Sequence, residues 1–324
     1  DIDAKYTKEK KKDEMRHILL DGQASKKVSL KGKGLSQIPE KLFSISGFHT
    51  LDLSDNKLET LPEKMGQFAE SIQVLLLEKN DFSSFPSVVS DFKNLKELYF
   101  KKNTLSNFPP ALKLKFTRMV HLDLRNNSLL EFPRGVLALT QLHTLLLGFN
   151  EIKTVPSLAR LSEIITLDLS NNKVEKIADG LRGLPRLQNL NLENNEISRI
   201  PLELGVCQEL KSLQINGNPQ RTVKYNVVQR GTLAILQFLK SKIPFDSPLL
   251  RSDAKAPANA GAPSDANSSL EKIGKIKAEI DALNEEMHGF GISSAKKYAL
   301  KKQVALKRAT LIRMERKARA EGHL

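Results

Sequence analysis

A 23-residue period governs this chain. Aligned on Asn, the segments share the frame L-x-x-L-x-L-x-x-N-x-L-x-x-L-P, as in FHTLDLSDNKLETLP at 48–62, MVHLDLRNNSLLEFP at 119–133 and LQNLNLENNEISRIP at 187–201. The aligned residues are Asn56, Asn80, Asn103, Asn127, Asn150, Asn172, Asn195 and Asn218, spaced by 24, 23, 24, 23, 22, 23 and 23. A further unit, VSLKGKGLSQIP at 28–39, keeps the frame but carries Lys33 in the Asn place. A period of this length predicts a stack of small units. Each contributes one short strand whose leucines point into a shared core, and none can bury its apolar edge without a neighbour. The Asn amide both donates and accepts, so a row of them predicts a hydrogen-bonded ladder at the turn leaving each strand. Pro39, Pro62, Pro86, Pro109, Pro133, Pro156 and Pro201 follow the last apolar residue of their units and mark stiff crossings. Ala178 breaks that rule, which predicts a more helical crossing in its unit.

These units resemble the leucine-rich repeat family over roughly residues 26–219. The length of about 23 residues and the recurrent Pro resemble its intracellular, Ras-group type. The resemblance implies an α/β fold, a curved horseshoe solenoid with about nine parallel strands on its concave face and helical caps, to which the chain's own pattern adds a C-terminal helical hairpin. It also implies a binding scaffold, with regulation of a small GTPase or phosphatase as one form of that role.

The chain divides accordingly. Residues 1–25 read as a charged N-terminal helix and cap, 26–222 as the solenoid, and 223–245 as a helical cap with Leu233, Leu236, Phe238 and Leu239 near helical spacing. Residues 246–269 are rich in Ala, Pro, Ser, Asp and Asn and read as a flexible linker. Residues 270–324 read as a basic amphipathic hairpin or coiled coil, with Ile273, Ile276, Ile280, Leu283 and Met287 on one stripe and HGFG at 288–291 as the break. Its acidic first helix suits its basic second one, and the hairpin is the expected docking arm, with Lys301, Lys302, Lys307 and Arg308 as its contacts.

Strand alternation predicts which residues face the concavity. Most are polar; Leu76, Tyr99 and Leu146 are not, and Phe149 sits at the rim beside Leu146. With Lys101 and Arg125 around them, this reads as an apolar, aromatic centre with a basic border, the composition of a protein-binding site.

The remaining observations exclude other classes. Cys207 is the one cysteine, and the six His show no ligand spacing, so no metal site or cofactor is expected. No P-loop, HExxH or GxSxG is present, so the chain reads as no enzyme. No apolar run reaches 18 residues, so no membrane span is expected. The opening run DIDAKYTKEKKKDEMR has no apolar segment and reads as no signal peptide, although without an initial Met a removed leader stays open. Lys and Arg number 51 against 37 Asp and Glu, a balance of +14 that suits acidic partners. The expectation is a cytoplasmic scaffold, an organelle staying open, that binds protein on its concave face and docks into a larger complex through its tail. The alternative is a component of a ribonucleoprotein contacted by the basic tail.

Overall fold

The computed structural model describes residues 17, 18, 21, 22, 24–178, 180–244 and 247, together with 279, 303, 304 and 307. Nine strands form one parallel sheet: β1 (Lys27–Ser29), β2 (Thr50–Asp52), β3 (Val74–Leu76), β4 (Glu97–Tyr99), β5 (His121–Asp123), β6 (Thr144–Leu146), β8 (Thr166–Asp168), β10 (Asn189–Asn191) and β11 (Ser212–Gln214), paired in sequence order. A second, two-stranded parallel sheet pairs β7 (Thr154–Val155) with β9 (Lys176–Ile177). The chain thus forms a leucine-rich repeat solenoid.

The register follows from burial. The middle residue of each long strand, from Leu51 through Leu122 to Leu213, is buried, and the residues on either side of nearly all of them keep some exposure. Two positions further on, Leu53, Leu77, Phe100, Leu124, Leu147, Leu169, Leu192 and Ile215 are buried as well. A one-residue slip would turn both leucine rows out of the core, so the sheet has one permitted alignment.

After each strand the backbone turns through one left-handed residue. Asp55, Lys79, Lys102, Asn126, Phe149, Asn171 and Asn194 have φ between 52° and 59°, and Gly217 has 69°. Each directly precedes a ladder Asn. The Asn150 amide shows the pattern: Nδ2 donates to Leu147 O at 2.9 Å and to Leu124 O at 3.0 Å, while Oδ1 accepts from Leu129 N at 3.0 Å. The same three bonds recur at Asn56, where Lys33 N and Leu35 N share the single acceptor at 3.1 and 2.9 Å.

Most crossings hold a 3-10 helix, the one after Pro156 being turns alone. Those at Glu40–Ser44, Glu63–Phe68, Ser87–Asp91, Ala111–Lys113, Arg134–Ala138 and Leu202–Val206 each start after a proline, whose φ lies between −59° and −70°. Proline presets that angle and needs no amide partner. The crossing after Ala178 is not more helical than most: it has the two-residue strand β9 and only Leu181–Gly183 as a 3-10 turn. Its first amides lack the proline solution. Glu203 of the next unit supplies the acceptor instead, taking Gly180 N at 3.0 Å and Leu181 N at 2.8 Å from a carboxylate only 8% exposed. A carboxylate is well placed at a helix N-terminus.

The C-terminal cover is two helices, α1 (Tyr225–Val228) and α2 (Thr232–Ser241), separated by Gly231 at φ 86°. α2 buries Ile235 and Leu239, whereas Leu233, expected among the cap's apolar residues, is 69% exposed. The helix begins only at Thr232, and this sets which face turns inward. Thr232 Oγ1 lies 3.0 Å from Leu213 N and accepts its hydrogen bond, which occupies the open edge of β11. Gly205 lets the helix approach: a Cβ there would lie 2.4 Å from Lys240 N.

The chain divides into two compact units, Asp1–Pro257 and Ala258–Leu324. In the second, residues 279, 303, 304 and 307 are helical, Val304 is buried, and Lys307 Nζ stands 2.5 Å from Glu279 Oε2. The tail residues Lys301, Lys302 and Arg308 lie outside the described residues, as do most of the expected N-terminal helix, the linker and the hairpin. None of the described helices is long and apolar enough to cross a membrane.

Candidate protein-binding site

One row across the concave sheet holds the predicted apolar residues. Pairing puts Asp52 beside Leu76, Leu76 beside Tyr99, Tyr99 beside Asp123, Asp123 beside Leu146 and Leu146 beside Asp168. Leu76, Tyr99 and Leu146 are half-buried and present their remaining surface on this face. They are not one unbroken patch, because Asp123 stands between Tyr99 and Leu146. The next position along the strands repairs the gap: the His121 ring lies 4.6 Å from the Tyr99 ring, tilted by 31°. Val74, half-buried on the same face beside Leu76, extends the apolar surface; its place in the alternation of β3 was the signal for it.

Tyr99 is fixed at its polar end, where Oη donates to Glu97 Oε2 at 2.9 Å. Burial, and then that bond, push its pKa up to about 12, so the phenol stays protonated. Burial also holds the His121 imidazole below its ordinary value of 6.5, against the pull of Asp123 and Glu97, and its Nε2 is buried without a hydrogen-bond partner. The ring is therefore an apolar, neutral surface element at pH 7.

Phe149 is 53% exposed and occupies the left-handed position before Asn150 with φ 57°. Elsewhere most of that column is Asn, Asp, Lys or Gly. A bulky aromatic there costs backbone energy in addition to its exposed ring. Next to it, Gly148 is buried, and a Cβ at that position would lie 2.9 Å from Ser170 Oγ and 3.0 Å from Asp168 Oδ2.

The expected basic border is corrected by its partners. Arg125 donates to Asp123 through both Nε (3.0 Å to Oδ1) and Nη2 (2.6 Å to Oδ2), a bidentate pair that raises the guanidinium pKa further. Asp123 is 1% exposed, so Arg125 serves first to neutralise a buried carboxylate. Lys101 Nζ lies 3.9 Å from Glu78 Oε1. At the strand positions of β2 to β8 and the second residue after each strand, the concave face carries five carboxylates (Asp52, Glu78, Glu97, Asp123, Asp168) against two cations (Lys101, Arg125), while the exit turns add Asp55, Lys79 and Lys102. The middle of this face is acidic although the whole chain is +14. The Asp-x-Arg pattern of a strand, with both side chains on one side, was the signal that Arg125 would be spoken for.

Among the described residues, no group of three or more His, Cys, Asp or Glu is placed to hold a metal ion.

The comparisons agree with this architecture. A sequence profile described as "Leucine rich repeat" matches residues 140–197. A solved LRR protein of Leptospira interrogans superposes with a TM-score of 0.54 at 28% identity, covering 59% of this chain and 54% of that one. The probable serine/threonine-protein kinase pats1 of Dictyostelium discoideum is 30% identical over 135 residues, which are 38% of this chain and 4% of that protein. The volume-regulated anion channel subunit LRRC8D of Rattus norvegicus is 33% identical over 86 residues, 26% of this chain and 10% of that subunit. The chain thus spans a small part of these curated relatives.

Proposed function

We propose that this chain, a leucine-rich repeat protein, is a non-catalytic scaffold that holds a protein partner on its concave face and joins a larger assembly through its C-terminal region. The observation that carries the reading is the row Leu76, Tyr99 and Leu146 with Phe149 beside it. Strands of a wetted face are expected to be polar, and here apolar side chains recur on three of four consecutive strands. Aromatic and aliphatic anchors of this kind dominate protein interfaces. An open wall of nine strands, about 38 Å at ~4.8 Å per strand, matches a folded domain or a long helix better than a metabolite, which prefers an enclosed pocket. The tail reading rests on the basic composition of residues 293–321.

Phe149→Asn provides the sharpest test. Asn occupies the same backbone position at 126, 171 and 194 with φ of 52–54°, so the substitution relieves the left-handed cost. The expected result is a protein more stable by about 1 kcal/mol that has lost affinity for its partner. Tyr99→Ala with Leu146→Ala is expected to leave the circular dichroism spectrum intact and to deplete the same partners from a quantitative pull-down. An unchanged partner profile in both variants would refute the concave site.

A further inference from the structure

We infer that the partner segment received by the concave face is cationic at both ends and apolar in its middle, with Lys or Arg seated at Asp52 and Asp168 and an aliphatic or aromatic stretch over Leu76, Tyr99 and Leu146. The inference rests on the concave reading above and adds the chemistry of the occupant.

Three features of the face support it. The first is the order of the row. Asp52, Leu76, Tyr99, Asp123, Leu146 and Asp168 share one register across six adjacent strands. Five spacings of ~4.8 Å separate the outer aspartates by about 24 Å. That is the length of a helix of about 16 residues.

The second is the state of the three aspartates, which differ. Asp123 is buried and its charge is met twice by Arg125. Asp52 and Asp168 stay partly exposed. In each, Oδ1 accepts from the backbone amide two residues on, Ser54 N at 3.0 Å and Ser170 N at 2.9 Å. Asp52 Oδ2 has only the long contact from Ser29 Oγ at 3.4 Å. Among the described residues, neither aspartate forms an ion pair. Both backbone bonds hold the carboxylate in one orientation before any partner arrives, so little side-chain freedom is lost on binding.

The third is the floor beside Asp168. Gly148 puts no side chain there, and a Cβ would come within 3.0 Å of Asp168 Oδ2. That carboxylate therefore lies close over the Gly148 backbone, in space that no side chain of that unit fills. An acidic segment would meet these groups as like charges, which works against wrong partners more strongly than matched charges favour right ones.

The test uses the full chain and two synthetic 18-residue helical peptides with the same Leu/Phe centre, one with Lys at both ends and one with Glu. Binding is read by fluorescence anisotropy. The Lys peptide is expected to bind at least tenfold more tightly than the Glu peptide. Asp52→Asn with Asp168→Asn is expected to weaken it about fivefold, and this difference should shrink in 0.5 M salt. Equal binding of the two peptides, no binding of either, or no response to the double substitution would overturn the inference. Tyr99→Ala with Leu146→Ala separates the two levels. If it abolishes binding that ignores charge, only the cationic inference fails; if charge-sensitive binding survives it, the concave anchor itself fails. Zero-length carbodiimide coupling then identifies the occupant. Links from Asp52 or Asp168 to peptide lysines support a partner segment. Links to lysines of the chain itself or of a second copy, undiminished by peptide, would assign the face to the protein's own basic stretches and overturn a partner as its occupant.

Discussion

Replacing Asn150 by Ala removes one rung of the ladder, and the hydrogen-bond pattern fixes what that costs. Four groups lose a bond: Leu124 O, Leu147 O, Leu129 N and, by a long contact of 3.4 Å, Gly148 O, which keeps Asn126 N at 3.0 Å. They do not lose equally. Leu124 O also accepts from Asn127 Nδ2 at 3.0 Å, and Leu147 O from Asn172 Nδ2 at 3.0 Å, so both carbonyls keep a partner. Leu129 N has no second acceptor, and its residue is 1% exposed. An orphaned buried amide costs about 1–3 kcal/mol, and two weakened carbonyl bonds add about 0.5 each, so Asn150→Ala should destabilise by about 2–4 kcal/mol. Asn218, at the end of the ladder and less buried, should cost about 1 kcal/mol because water replaces its partners. Asn150→Asp keeps the acceptor for Leu129 N but turns the second oxygen toward two carbonyls. Burial and those dipoles raise the carboxyl pKa above its unfolded value near 4. Its penalty is therefore absent below about pH 4 and grows as pH rises through the folded value. Urea melts monitored by circular dichroism give the midpoints, and amide exchange at Leu129 reads the local opening that a repeat array permits. A loss under about 0.5 kcal/mol for Asn150→Ala, or equal losses at positions 150 and 218, would refute the reasoning.

Two further substitutions follow from the same geometry. Gly205→Ala drives a methyl against Lys240 N and should lift α2 from the Leu202–Val206 crossing, costing about 1–3 kcal/mol and exposing the amides of Ile235 and Leu239 to exchange; unaltered protection there would show that the cover tolerates the shift. His121 has a folded pKa below its unfolded one, so stability present above pH 6.5 is lost as pH falls through that value toward the folded one. His121→Gln should flatten this part of the pH–stability profile, and a slope retained between pH 7 and 5 would place the titration elsewhere.

The period, the strand register and the leucine core were legible because every unit makes the same demand of its residues. Eight asparagines at one spacing state the backbone's hydrogen-bond requirement eight times over. The concave positions of Leu76, Tyr99 and Leu146 followed from alternation alone. What stayed illegible depends on a pair rather than a column. Arg125 counts as a free cation in the composition, yet Asp123, two residues earlier at the end of β5, takes its charge. The missing proline at Ala178 was visible, but its replacement by the Glu203 carboxylate from 25 residues later needed the stacked structure. Thr232 carries no signal in the sequence, and only the position of the β11 edge makes it a cap for that strand.

A solenoid also changes what an exception means. Neighbouring units dictate the backbone of each one, so a side chain that disobeys its column is carried along at a local cost instead of redirecting the chain. Such exceptions fall into two kinds. Ala178 is answered within the fold by Glu203, so it needs no external explanation. The sixth unit differs: Leu146 stands where a polar side chain is usual, Gly148 where a larger one is usual, and Phe149 where the other units have Asn, Asp, Lys or Gly. The three are nearly consecutive. Leu146 and Phe149 leave apolar surface in water, and Phe149 strains the backbone as well. None of the hydrogen bonds around them offsets this. In a fold that answers the loss of a proline internally, the cost concentrated on one concave strand and its exit turn is what the proposed partner would offset on binding.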